Sequence, residues 1–261
     1  MQKTEQKTIL FLDFDGTLAE IRDTPGEVYL EKNQWMILEH LSIRHSLFVV
    51  SGRSFNDIQK RVPETLTGIA GDHGAVRRFG KDTFVISEAQ SVKDLVKTLS
   101  VAFLPLELKF PGMLLEPKDY SVSVHYRNLP VNQISELYNH ISNIKHQLDP
   151  SNELIETMGK SVWEFRHPEA RKEEALEWFV RKMKEKRSSS TKERYIFIGD
   201  DQTDWNSILW AGHSGGKGIW VGSHFPCPIG NYTPDIKNSP KEIWEELEKW
   251  STSKDFIPFS D

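Results

Sequence analysis

Two short stretches of this chain crowd acids at the point where an apolar run ends. Residues 9–18 read Ile-Leu-Phe-Leu-Asp-Phe-Asp-Gly-Thr-Leu, so Asp13 and Asp15 stand two positions apart directly after four large apolar side chains. Residues 195–204 read Tyr-Ile-Phe-Ile-Gly-Asp-Asp-Gln-Thr-Asp, so Asp200, Asp201 and Asp204 fall within five positions after a second such run. Carboxylates held this close repel one another unless a cation lies between them or one keeps a proton. A loop of this kind suits a divalent metal and a phosphate, with one carboxylate as nucleophile and another as acid and base. Gly16 lets the backbone turn sharply after the acids, and Thr17 adds a hydroxyl.

Such groups need a frame. Residues 9–12, 46–50 and 195–198 are apolar without alternation, which predicts buried strands of a parallel sheet. Helical spacing follows at Trp35, Ile37, Leu38 and Leu41, and again at Phe55, Ile58 and Val62. A long helix is predicted from Pro168, with Ala175, Leu176, Phe179, Val180 and Met183 on its buried face, and a closing helix carries Ile243, Trp244, Leu247 and Trp250. Strand, loop, helix in that order brings polar loops to the carboxyl edge of the sheet, where open α/β sheets bind ligands. The second strand ends there on Ser51-Gly52-Arg53. Residues 69–70 and 83–87 read as short strands, and Gly71-Asp72-His73-Gly74 as a tight turn whose histidine has a satisfied hydrogen bond.

The middle of the chain, residues 89–166, follows another pattern. Val92, Leu95, Val96 and Leu99 mark a helix, and residues 112–116 read as a strand. Residues 120–127 alternate strictly, with Tyr120, Val122, Val124 and Tyr126 on one face and Ser121, Ser123, His125 and Arg127 on the other. A helix with Ile134, Leu137, Tyr138, Ile141 and Leu148 follows, and then a turn at Met158-Gly159-Lys160. Residues 161–166 alternate again, setting Val162, Glu164 and Arg166 opposite Trp163 and Phe165. This predicts an inserted α+β module whose antiparallel sheet keeps one polar face open to a partner.

Composition narrows the classes. The chain has 261 residues, 38% hydrophobic and 27% charged, as expected of a globular protein with a core and an insertion. A formal net charge of −5 gives no support for a nucleic-acid partner, which needs a basic face. The single cysteine, Cys227, excludes an internal disulfide and fits a reducing compartment. The start of the chain is polar and does not read as a leader. No run approaches the ~20 apolar residues of a membrane span. The expected location is cytoplasmic.

At this point a resemblance is plain. Asp13-Phe14-Asp15-Gly16-Thr17-Leu18 resembles the DxDGTL motif of the haloacid dehalogenase superfamily, whose phosphatases are Mg²⁺-dependent and pass through an aspartyl phosphate. The run from Gly199 to Asp204 is similar to the fourth superfamily motif in its trehalose-phosphate phosphatase form, G-D-D-x-T-D-E, with Trp205 where that family has an acid. Ser51 resembles the second motif, a hydroxyl that bonds the phosphate. Lys172 resembles the third, with Arg171 as the alternative and Glu173 where the family usually has Gly. The turn at His73 resembles the family's G-[ES]-H-G-A stretch. Glu116-Pro117-Lys118 and His125-Tyr126-Arg127 resemble the E-R-K-x-x-S…H-Y-R run of the type IIB cap, with Pro117 in the place of Arg. Residues 215–222 resemble the family's last core strand.

The resemblance implies a doubly wound, Rossmann-like parallel sheet core at residues 1–88 and 167–261, interrupted by a substrate-selecting cap at 89–166. It implies Asp13 as nucleophile, Asp15 as acid and base, and Lys172 as the cation that neutralises nucleophile and phosphate. Thr17, Ser51, Gly52 and Arg53 would bind phosphate. Glu116, Lys118, His125, Arg127 and Glu164 would bind sugar. Mg²⁺ would be held among Asp13, Asp15, Asp200, Asp201 and Asp204. The implied reaction is hydrolysis of trehalose 6-phosphate, a small phosphorylated sugar, with neither nucleic acid nor membrane as partner and with a monomer compatible. Three other readings stand beside it: a phosphatase for sucrose phosphate or mannosyl-phosphoglycerate, a superfamily mutase, and a non-catalytic sugar-phosphate sensor. Mutases usually carry a cap between the first two motifs, where about 30 residues lie here, too few for a globular domain.

Overall fold

The computed structural model describes residues 7–186, 192–223, 232–253 and 256–259. The expectations for residues 1–6 and for Cys227 lie outside these residues. The chain forms two compact units, Met1–Phe84 with Lys172–Asp261, and Val85–Arg171. The sequence reading placed the joints at 88 and 167.

In chain order the first unit begins with β1 (Lys7–Leu12), α1 (Lys32–Arg44), β2 (Ser46–Val50), α2 (Phe55–Arg61), β3 (Gly68–Gly71), β4 (Val76–Phe79) and β5 (Asp82–Val85). The second unit contributes α3 (Ser87–Ser91), α4 (Lys93–Lys109), β6 (Leu114–Pro117), β7 (Ser121–His125), α5 (Val131–Leu148), β8 (Ile155–Gly159) and β9 (Val162–Arg166). The first unit resumes with α6 (Lys172–Glu185), β10 (Glu193–Gly199), α7 (Trp205–His213), β11 (Lys217–Val221), β12 (Asp235–Lys237) and α8 (Pro240–Thr252).

The large sheet runs in the order β12-β11-β10-β1-β2-β3-β4-β5. Strands β12 through β3 are parallel, and β4 turns back antiparallel on β3. Strand β1 lies near the middle, with Ile9 beside Tyr195 of β10 and Ser46 of β2. Its alternate side chains enter two different cores. Leu10 and Leu12 join Leu38, Leu41, Ile58, Ile243 and Leu247 from α1, α2 and α8. Ile9 and Phe11 join Leu176, Phe179 and Ile208 from α6 and α7, with Phe11 and Phe48 stacked at 4.9 Å. Helices on both faces are why the strand sequences carry apolar side chains at every position.

The second unit has a four-stranded sheet in the order β6-β7-β9-β8, antiparallel throughout. Val122, Val124, Trp163 and Phe165 face a core shared with α4 and α5. The opposite face sets Glu116, Ser123, Glu164 and Thr157 side by side across the four strands.

Several boundaries differ from the sequence reading. The helix after Pro168 begins at Lys172, because the chain first makes a turn in which Ala170 N–H donates to the His167 carbonyl. Strand β7 ends at His125, so Arg127 is not on its polar face. Leu129 N–H donates to the Tyr126 carbonyl and closes a turn there. Strands β4, β8 and β12 have no clear periodic signal in the sequence. Among the described residues, no helix is long and apolar enough to cross a membrane.

Candidate active site

The carboxyl ends of the parallel strands deliver the acids. Asp13 follows β1, Ser51 follows β2, Asp72 follows β3 and Asp200 follows β10, each as the next residue. All four are buried. The loop after β1 passes directly over Asp200. Gly16 has φ +80°, and a Cβ there would lie 2.0 Å from Asp200 Oδ2, so both the backbone conformation and the space demand glycine.

Lys172, the first residue of α6, is 3% exposed and donates to Asp13 Oδ1 and to Asp204 Oδ1, each at 2.6 Å. Arg171 instead meets Glu169 at 3.2 Å. Asp204 Oδ2 accepts the backbone N–H groups of Asp200 and Asp201 at 3.2 and 3.1 Å, so this side chain also shapes the loop. Asp201 caps the 3-10 turn Gln202–Asp204 by accepting from Gln202 N–H. Burial pushes the Asp13 carboxyl well above the usual carboxylate range, and Asp204 and Asp200 add to this while Lys172 opposes it. Burial works to lower the Lys172 ammonium, but Asp13 and Asp204 outweigh it and hold it above its ordinary value.

Asp13, Asp200 and Asp204 each place one oxygen within 4.8 Å of the others. Three buried carboxylates with a single ammonium among them form a hard, oxygen-only donor set, which fits a divalent cation. Asp15 points elsewhere. Both its oxygens accept from Arg53, Oδ2 from Nε and Oδ1 from Nη2, each at 2.6 Å. Ser51 Oγ accepts from Arg53 N–H at 3.1 Å, which leaves its own hydrogen to donate. Thr17 is fully buried, and its hydroxyl has no hydrogen-bond partner among the described residues. His73 lies in the turn after β3, as the sequence reading has it. It and Asp72 both adopt positive φ, 52° and 49°, and its ring lies against Gly52, where a Cβ would be 2.5 Å from Nε2.

Two residues that sequence reasoning passed over belong to this region. Asp57 Oδ2 accepts from Arg53 Nη1 at 2.8 Å and from Arg61 Nε at 2.7 Å. The signal was present as four-residue spacing, Arg53-Asp57-Arg61, running from just before the Ser54 cap to the last residue of α2.

In the second unit Glu164 Oε1 accepts from Lys118 Nζ at 2.8 Å, Ser121 Oγ at 3.0 Å and Ser123 Oγ at 3.3 Å. His125 Nε2 lies 2.7 Å from Glu116 Oε2. Burial works to raise the Glu116 carboxyl, but Lys118 and the His125 ring outweigh it and hold it below its ordinary value. Arg127 is exposed and donates to the Lys160 carbonyl at 3.1 Å.

A mainly parallel sheet with buried Asp and Lys side chains at its carboxyl edge, interrupted by an α+β insertion, defines a member of the haloacid dehalogenase superfamily. Within it the family model for trehalose-phosphatase matches residues 11–221, and the chain belongs to that family. A trehalose-phosphate phosphatase of Mycobacterium bovis is 30% identical over 209 residues, 79% of this chain and 52% of the relative. That of Mycobacterium ulcerans is 28% identical over 215 residues, 81% of this chain and 53% of the relative. The chain thus spans about half the length of these relatives. The crystal structure of a trehalose-6-phosphate phosphatase related protein superposes with a TM-score of 0.76 at 21% identity, covering 94% of this chain and 97% of the other. The C-terminal domain of a Candida albicans trehalose synthase regulatory protein shares the fold with a TM-score of 0.61 at 11% identity, covering 92% and 93%. In Trp205 the chain departs from the family motif. The indole is buried in the apolar cluster with Ile208, Ala211 and Trp220, so this position serves packing. Glu173, where the family usually has Gly, accepts from Asn206 Nδ2 at 3.2 Å and links α6 to α7.

Proposed function

We propose that this protein is a Mg²⁺-dependent phosphatase that hydrolyses trehalose 6-phosphate to trehalose and inorganic phosphate. The observation that carries the reading is the buried triad in which Lys172 bridges Asp13 and Asp204 at 2.6 Å, with Asp200 beside them. A fold shared with a regulatory protein does not separate catalysis from sensing; an intact nucleophile with its ammonium partner favours catalysis.

The steps follow from the residues. An Asp13 oxygen attacks phosphorus as the bond to the sugar oxygen breaks, and Asp15 gives that oxygen a proton. A water then attacks the aspartyl phosphate, passing its proton to Asp15, and the phosphorus–Asp13 bond breaks to release phosphate. Lys172 offsets the charge that moves between Asp13 and the transferring group. Ser51, with the backbone N–H of Gly52, holds the phosphoryl oxygens, and the buried Thr17 hydroxyl is a further donor; the Arg53 N–H is given to Ser51 Oγ and its guanidinium to Asp15 and Asp57. Mg²⁺ held by Asp13 and Asp200, with Asp201, Asp204 and Asp15 as nearby acids, would supply Lewis-acid stabilisation of phosphoryl charge.

The α+β insertion acts as the cap that selects the sugar. Its polar sheet face, with Glu116, Lys118, His125 and Glu164, offers donors and acceptors on rigid strands, and Arg127 adds a cation in the adjoining turn. We place the activity in the cytoplasm, on a small phosphorylated sugar. The test is phosphate release from a panel of phosphorylated mono- and disaccharides with Mg²⁺ present. Trehalose 6-phosphate should lead; preference for another sugar phosphate would reassign the substrate and keep the chemistry.

A further inference from the structure

We propose that Asp57 is a positioning residue which, through Arg53, fixes the carboxylate of Asp15 toward the leaving oxygen. This rests on the phosphatase reading above. The Arg53 guanidinium is a planar fork with every edge engaged. Its Nε and Nη2 hold Asp15 at 2.6 Å each, Nη2 also reaches the Pro25 carbonyl at 2.9 Å, and Nη1 meets Asp57 at 2.8 Å. A bidentate pair fixes Asp15 relative to the fork, but the fork itself must be fixed relative to the sheet. Asp57 does this from the first turn of α2, where its own N–H donates to Ser54 Oγ at 3.2 Å.

A second arginine holds Asp57 from the other side. Arg61 Nε shares Asp57 Oδ2 at 2.7 Å, and its Nη1 donates to the Val28 carbonyl. Arg61 is stacked over Tyr29 at 4.5 Å, and Arg53 over Phe14 at 5.4 Å. One carboxylate on α2 therefore orders two buried guanidiniums, and these tie down the 25–28 loop and Asp15 together. None of this machinery touches the phosphoryl centre at Asp13. Its loss should impair the delivery of a proton to the leaving oxygen and spare the attack on phosphorus.

Leaving-group dependence tests this directly. p-Nitrophenyl phosphate expels a good leaving group that needs no proton, whereas a sugar phosphate expels a poor one. In the full chain with Mg²⁺, Asp57→Asn should lower kcat/KM for the sugar phosphate by about tenfold or more, and for p-nitrophenyl phosphate by less than about threefold. Asp57→Glu should recover part of the difference. An equal fall on both esters would show a merely structural role and overturn the proposal, as would no fall on either. Should Asp57→Asn fail to fold, Arg61→Gln removes the group that holds Asp57 and carries the same comparison. A wild-type protein inactive on both esters would sink the phosphatase reading itself, and the proposal with it.

Discussion

Lys172 and Asp13 are 159 positions apart in the chain, and their side chains meet at 2.6 Å in a site from which water is almost wholly excluded. A buried pair of this kind is costly to break from one side, because the partner keeps its charge without compensation. Lys172→Met should lower kcat by about 10²-fold or more and destabilise the fold by about 3–5 kcal/mol when no metal is added. Steady-state kinetics and chemical unfolding measure the two effects separately.

The opposite holds for the nucleophile. Asp13 shares its pocket with Asp200 and Asp204, and removing one of three acids relieves repulsion. Asp13→Asn should therefore abolish turnover while leaving metal-free thermal stability equal to or above wild type. Residual turnover near the wild-type rate would exclude the aspartyl phosphate.

Metal binding should read out without catalysis. Mg²⁺ at about 100 times its Kd stabilises a folded protein by about 2.7 kcal/mol. That rise should vanish in Asp200→Ala, whose metal-free stability should stay close to wild type. Asp204→Ala should lose stability even without metal, since its carboxylate holds the backbone of Asp200 and Asp201 as well as Lys172. A full Mg²⁺ shift in Asp200→Ala would contradict the assignment.

Acid sensitivity has a separate source in the second unit. Asp149 accepts the N–H groups of Glu153 and Leu154 at 2.8 and 3.0 Å and pairs with Lys145. Burial works to raise its carboxyl, but these partners outweigh it and hold it below the ordinary carboxylate value. A carboxyl lowered in the folded state stabilises above its unfolded pKa of about 3.9 and stops doing so as pH falls through the folded value. Asp149→Asn should thus cost about 1.5–3 kcal/mol at pH 7, and the cost should shrink as pH falls below the unfolded value and through the lowered folded one. Urea unfolding of both proteins across that range measures it.

Substrate choice should respond to the cap sheet. Glu116→Gln keeps the shape but replaces the carboxylate that faces His125. The preference for trehalose 6-phosphate over glucose 6-phosphate should narrow in this variant by about tenfold, because a site that bonds hydroxyls rejects ligands lacking them. Activity on p-nitrophenyl phosphate, too small to use that face, should hold. An unchanged ratio would remove Glu116 from the sugar site.

The strands and their terminal acids were legible because burial on both faces writes a continuous apolar run that ends where the side chains of Asp13, Ser51 and Asp200 begin. Adjacent cations at 171 and 172 were not separable by residue type; the first turn of α6 decides between them by direction. Arg127 was misplaced because alternation counts residue types and cannot see the turn that Tyr126 and Leu129 close. The Arg53–Asp15 pairing joins loops 38 positions apart, and no periodicity in either loop reports on the other.

The place of β1 also governs how the chain can come to be folded. Its neighbours are β2, made soon after it, and β10, which pairs Ile9 with Tyr195. During synthesis this apolar strand has one edge unpaired until the chain beyond Gly199 has left the ribosome. Such distant pairing raises contact order and slows folding, and an exposed apolar edge invites association with other chains. The second unit, all of whose strands lie between residues 114 and 166, can form its own sheet meanwhile. Nascent chains halted before β10 should therefore hold a folded insertion beside an aggregation-prone half core, and holdase chaperones should bind them far better than they bind the finished protein.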